Sequence, residues 1–180
     1  MKNIFIGGVA KSGKSTLALE LTKDGKYNHI PVDYFASSFK HNFSEVGITS
    51  NVVIDKESSK KLALFLSRFI EIASLKDELF ILDSAHILPQ DIVPYIDLEK
   101  WDVYYLGYPN MSPEEKLKEV RTHIKGGWVA KKSDEELLVI FDKLINISKE
   151  MQDYCLANNI EFIDTSNKYI KDIKRNKKNS

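Results

Sequence analysis

At 180 residues, 43% of them hydrophobic, the chain has the size of one globular domain and can bury a core without disulfides or a structural metal. Its single cysteine, Cys155, excludes an internal disulfide and suits a reducing compartment, so the expected location is the cytoplasm. The formal net charge is zero and no stretch approaches the roughly 18 unbroken apolar residues of a bilayer span, which argues against membrane and nucleic acid as partners.

In chain order, residues 2–7 read as a short buried strand ending in glycine. Ser12–Thr22 follows with helical spacing through Leu17, Ala18 and Leu21, and Asp24-Gly25-Lys26 stops that helix. His29–Val32 reads as the second strand, with Asp33 at its C-terminal end. Residues 36–54 mix polar and aromatic residues without a sustained period and read as a mobile helix–loop region. Asp55 predicts the cap of a long helix to about Leu75, whose apolar positions Leu62, Phe65, Leu66, Phe69, Ile70 and Ala73 recur at helical spacing. Leu79–Leu82 is an apolar strand ending in Asp83, and Val103–Leu106 is a fourth strand. Ser112-Pro113-Glu114-Glu115 is a capping box with proline at the first helical position. Ser133-Asp134-Glu135-Glu136 repeats the box and opens a second long helix. Ile160–Ile163 is the fifth strand, followed by Asp164-Thr165-Ser166, and residues 168–180 form a basic C-terminal tail.

Five short apolar strands separated by helices imply parallel strands joined by right-handed crossovers, a single α/β domain of three layers over residues 1–180. Ligands of such sheets bind beyond the carboxyl ends of the strands. That edge would collect Gly8–Ser15, Asp33, Asp83, Gly107–Tyr108 and Asp164–Ser166.

Gly8-Val9-Ala10-Lys11-Ser12-Gly13-Lys14-Ser15 matches G-x-x-x-x-G-K-[ST] in full, between a strand and a helix as that pattern requires. The glycines let successive N–H groups face one phosphate, and the helix N-terminus adds its positive end. Gly8, Val9, Ala10, Lys11, Ser12, Gly13, Lys14, Ser15 and Thr16 are therefore expected to bind ATP or GTP, with Lys14 reaching the β- and γ-phosphates. The Ser15 hydroxyl is expected to ligate Mg²⁺, and Asp83, an acid ending an apolar strand, to sit beside the same ion. Asp33 is the candidate catalytic base facing the group that attacks the γ-phosphate. His86, three residues after Asp83, is a weaker candidate for contact with acceptor or phosphate. Arg121, ahead of Lys125-Gly126-Gly127-Trp128, is expected on a closing lid over about residues 110–132, where it would neutralise charge on the transferred group. Arg68 either clamps an anionic acceptor or forms a surface ion pair.

This pattern resembles the P-loop kinases of the nucleoside, nucleotide and shikimate kinase group. The resemblance rests on Gly8–Thr16, Asp33, Asp83, Arg121 before a glycine-containing segment, and Asp164-Thr165-Ser166. It implies a P-loop NTPase fold with strand order 2-3-1-4-5, an Mg-ATP donor, a small-molecule acceptor over Asp33, and a loop Thr165, Ser166 and Asn167 passing near the nucleotide base. The sequence departs from the group where adenylate-kinase-like lids carry several arginines, since only Arg121 with Lys125, Lys131 and Lys132 is present. It departs again after the third strand, where Asp83-Ser84-Ala85-His86 replaces the triple glycine of shikimate kinases. Phosphoryl transfer to a small-molecule hydroxyl or phosphate is the leading expectation. A nucleotide hydrolase or switch acting on a protein partner is the second, although the Asn-Lys-x-Asp of GTPases is missing. A nucleic-acid-directed kinase using the basic tail is the third.

Overall fold

A computed structural model describes residues 1–123 and 126–167. Lys125 and the basic tail at 168–180 lie outside the described residues. Five strands, β1 (Asn3–Gly8), β2 (Tyr27–Pro31), β3 (Leu79–Ser84), β4 (Trp101–Gly107) and β5 (Glu161–Asp164), form one parallel sheet in the order β2-β3-β1-β4-β5. Among the described residues six α-helices connect them: α1 (Lys14–Leu21), α2 (Asp33–Asn42), α3 (Lys56–Ala73), the single turn α4 (Pro89–Ile92), α5 (Pro113–His123) and α6 (Asp134–Ala157). This is the α/β sandwich that the sequence implied. No helix among the described residues is long and apolar enough to cross a membrane.

The alternation of side chains along β1 divides the core. Phe5 faces the larger apolar cluster with Leu82, Val103 and Tyr105, covered by Leu62, Leu66 and Ile70 of α3 and by Leu137, Phe141 and Leu144 of α6. Ile4 and Ile6 face the other way and meet Leu17 and Ala18 of α1 together with Ile81 and Leu106. β1 is therefore buried on both sides, which is why its sequence is apolar from Ile4 to Gly8.

Helix starts follow the capping residues. Asp55 accepts the Ser58 N–H at 2.7 Å, and Ser133 and Glu136 form a reciprocal box that opens α6. Ser112 and Glu115 make the same pair of bonds ahead of α5.

The boundary between the second strand and the next helix differs from expectation. The second strand runs from Tyr27 to Pro31, and Asp33 opens a helix instead of closing a strand. Register with β3 ends at Pro31, after which the Val32 N–H bonds to the Asp83 carbonyl; an acid is favourable in the first turn of a helix. Part of the region 36–54, expected as a mobile helix–loop, is the body of α2. Phe35, Phe39 and Phe43 recur every fourth residue, a helical spacing. The Phe35 and Phe39 rings pack edge-on against Phe65 of α3, and the Phe43 ring meets Phe39 at a tilt. The polar residues between them hid that period.

Candidate active site

The loop from Gly8 to Gly13 leaves β1 through three positions at positive φ: Gly8 (139°), Lys11 (61°) and Gly13 (93°). Gly8 also needs its missing side chain, since a Cβ there would collide with the Leu106 carbonyl oxygen of β4. Gly13 hands the chain to α1, whose first turn has no side-chain cap, so its amides remain available to an anion.

Inside this loop Lys14 is 5% exposed, and its Nζ donates to the Val9 carbonyl at 2.7 Å. Burial pushes its amine down to about 8, while the carboxylates of Asp33 and Asp83 pull the other way. Lys11, half-buried, is lowered by burial as well. Two cations thus line one cleft of about 410 Å³, together with Ala10, Gly13, Ser15, Thr16, Asp33, Ala85 and Trp128.

The end of β3 supplies the acid. Asp83 is 3% exposed, and its Oδ2 accepts from the Ser15 hydroxyl at 3.1 Å. Its other oxygen lies 2.6 Å from His29 Nε2 on β2, so that ring nitrogen carries the proton. His29 was missed in the sequence. The available signal was its place in a strand beside the one that ends in Asp83, but adjacency of strands two and three is a property of the sheet, not of local pattern.

Across the cleft, Asp33 Oδ1 accepts the Ala85 N–H at 2.9 Å, which ties the start of α2 to the end of β3. The carboxylate stays 41% exposed, and His86 Nε2 lies 3.7 Å from it. Burial lowers the His86 imidazole, with Asp33 opposing that shift. Asp33 and His86 thus form one polar pair, of which Asp33 lines the cleft and His86 lies largely buried behind it.

Three features fit a nucleotide triphosphate with its metal. The Ser12 hydroxyl is buried without a hydrogen-bond partner among the described residues, a polar atom that a phosphate oxygen would satisfy. The uncapped first turn of α1 suits an anion. Ser15 and Asp83 bring a hydroxyl and a carboxylate together, and Mg²⁺ in phosphate sites is held by one or two such oxygen ligands plus phosphates.

The remaining candidates are placed differently. Arg121 is not among the residues lining the cleft, and all three guanidinium nitrogens are engaged: Nε and one terminal nitrogen with Asp134 at 2.9 and 2.7 Å, the terminal nitrogens also with the Val129 and Lys132 carbonyls. It staples α5 to the start of α6. Arg68 makes an exposed ion pair with Glu71. Thr165 donates to the Gly107 carbonyl at 3.0 Å, and Ser166 bonds to Asp164 and to the Asn110 N–H. This loop is therefore braced against the residues that follow β4, and Asn167 is exposed beside it.

No protein-family model matches the chain, and no curated protein matches it. Solved structures do. The shikimate kinase from Bacteroides thetaiotaomicron superposes with a TM-score of 0.56 at 13% identity, over 92% of this chain and 87% of that one. The shikimate kinase from Acinetobacter baumannii, solved with shikimate, gives 0.56 at 14%, over 98% and 90%. Deoxyadenosine kinase from M. mycoides with bound dATP gives 0.50 at 17%, over the full length of both chains. The chain has the fold of the nucleoside- and shikimate-kinase-like P-loop group.

Proposed function

We propose that the protein transfers the terminal phosphoryl group of ATP or GTP to a small-molecule hydroxyl or phosphate acceptor. The observation that carries this reading is the convergence of the phosphate loop, the Ser15–Asp83 pair and the Asp33 carboxylate on one cleft at the carboxyl edge of the sheet. The kinases that share the fold support it.

In this reading the loop amides and Lys14 bind the β- and γ-phosphates, Lys14 exchanging the Val9 carbonyl for phosphate oxygen. Ser15 and Asp83 would hold Mg²⁺, which when bound neutralises charge on the phosphate oxygens. His29 keeps the Asp83 carboxylate in place. Asp33 orients the acceptor hydroxyl and takes its proton as that oxygen bonds to the γ-phosphorus and the bond to the leaving phosphate oxygen breaks. His86, beside Asp33, acts on the acceptor through that carboxylate. Charge on the transferred group is met by Lys14 and Lys11. Arg121 acts on that step through the segment it holds beside Trp128. Thr165, Ser166 and Asn167 border the nucleotide on the β5 side. The expected compartment is the cytoplasm, in keeping with the lone buried Cys155 thiol.

The test is a metabolite pool incubated with the protein and Mg-ATP and read by mass spectrometry. The expected outcome is one compound, or one small chemical class, that gains a single phosphoryl group only when protein and ATP are both present. ATP consumed at one rate with and without every acceptor would point to hydrolysis instead.

A further inference from the structure

Two side chains from the segment after β4 grip the outer carbonyls of the phosphate loop. The Tyr108 hydroxyl donates to the Ala10 carbonyl at 2.9 Å, and Lys116 Nζ donates to the Lys11 carbonyl at 2.9 Å. Lys116 is only 2% exposed. Its ammonium lies 4.1 Å from the centroid of the Tyr108 ring, and Glu119 accepts its second hydrogen bond at 2.8 Å. Desolvating an ammonium opposes folding, and an i,i+3 ion pair with Glu119 forms as well on a helix surface without burial. What burial adds is the contact with Lys11, a non-glycine residue held at φ 61°.

That contact bears on the amides. A peptide group is planar and trans, so fixing a carbonyl oxygen on one side turns the next residue's N–H to the other. Holding the Ala10 and Lys11 carbonyls against Tyr108 and Lys116 therefore turns the Lys11 and Ser12 amides away from those two side chains. The Ser12 N–H accordingly points to the Val9 carbonyl, the same oxygen that receives Lys14 Nζ. Five residues further along, α5 carries Arg121, which holds the Val129 and Lys132 carbonyls beside Trp128. One helix thus braces both the phosphate loop and the segment that brings Trp128, a lining residue of the cleft, to within 5.7 Å of Lys11.

We propose that Lys116, assisted by Tyr108, is a positioning residue that presets the phosphate-loop amides for nucleotide and couples the loop to α5. This rests on the nucleotide reading above. The test is calorimetric titration with MgADP, alongside thermal melts, of the wild type, K116M and Y108F. Methionine fills the lysine's space, and Glu119, partly exposed, is solvated without it, so K116M is expected to melt no lower than wild type. Its Kd for MgADP should weaken by roughly 10- to 100-fold, the range seen for the outer partners that orient metal ligands. Y108F should weaken binding in the same direction by less. A purely structural lysine would instead lower the melting temperature and leave Kd alone. K116M binding MgADP as tightly as wild type overturns the proposal, whereas a wild type that does not bind MgADP overturns the nucleotide reading itself. Should K116M not fold, Y108F decides, and an unchanged Kd there counts against the proposal.

Discussion

Lys14 sits where binding and folding make opposite demands. Its amine is held at about 8 by burial, below the 10.5 of a free lysine. The unfolded chain therefore binds the extra proton between those values, so this group's contribution to stability rises with pH across that window. Below about pH 8 the full penalty for burying the ammonium applies. K14M is accordingly expected to abolish phosphoryl transfer while raising the unfolding free energy at pH 7 by roughly 1–3 kcal/mol. The gain should shrink as the pH approaches 10.5. Urea melts of both proteins at pH 7 and pH 10 check this; a K14M protein less stable at pH 7 would mean that the amine serves the fold. At this scale Lys14 and Ser15 were legible because a motif fixes their spacing, and Asp83 because an acid ends an apolar strand. His29 and Lys116 were not, since they act on residues 54 and 105 positions away and no local pattern marks them; Tyr108 was placed on the ligand edge, but its bond to Ala10, 98 positions away, was not legible. Arg121 and Arg68 show the converse: an arginine's position in a helix says little about which partner its fork will find.

Among the elements, α6 is the longest, and its start depends on the box between Ser133 and Glu136. Ser133 Oγ accepts the Glu136 N–H at 3.3 Å, and the Glu136 carboxylate accepts the Ser133 N–H at 3.0 Å. S133A is expected to lower the unfolding free energy by about 1 kcal/mol. The neighbouring Asp134 still engages Arg121, so MgADP affinity should not change. Urea unfolding with a parallel binding titration checks both halves, and a change in affinity would show that the start of α6 reaches the cleft. Capped helices and continuously apolar strands were legible because their signals are local. The start of α2 was not, because Asp33 is as acceptable at a strand end as in a first helical turn. Packing on Phe65 and the bond from Ala85 decide between the two, and both lie far along the chain.

Over the whole molecule, strand order converts scattered residues into a site. β1 lies between β3 and β4, so the phosphate loop leaves the middle of the sheet with Asp83 at one side and Tyr108 at the other. β2 lies beyond β3, which sets Asp33 across the cleft from Lys14. The measurement that tests the account most directly is therefore made at Asp33. Asparagine keeps the oxygen that accepts the Ala85 N–H, so D33N should fold and bind MgADP like wild type. Acceptor-dependent ADP release should nevertheless fall by roughly 10²–10⁴, the usual contribution of a positioned base. Undiminished acceptor-dependent turnover in D33N would contradict the account, and loss of MgADP binding would mean that Asp33 serves the nucleotide side of the cleft instead.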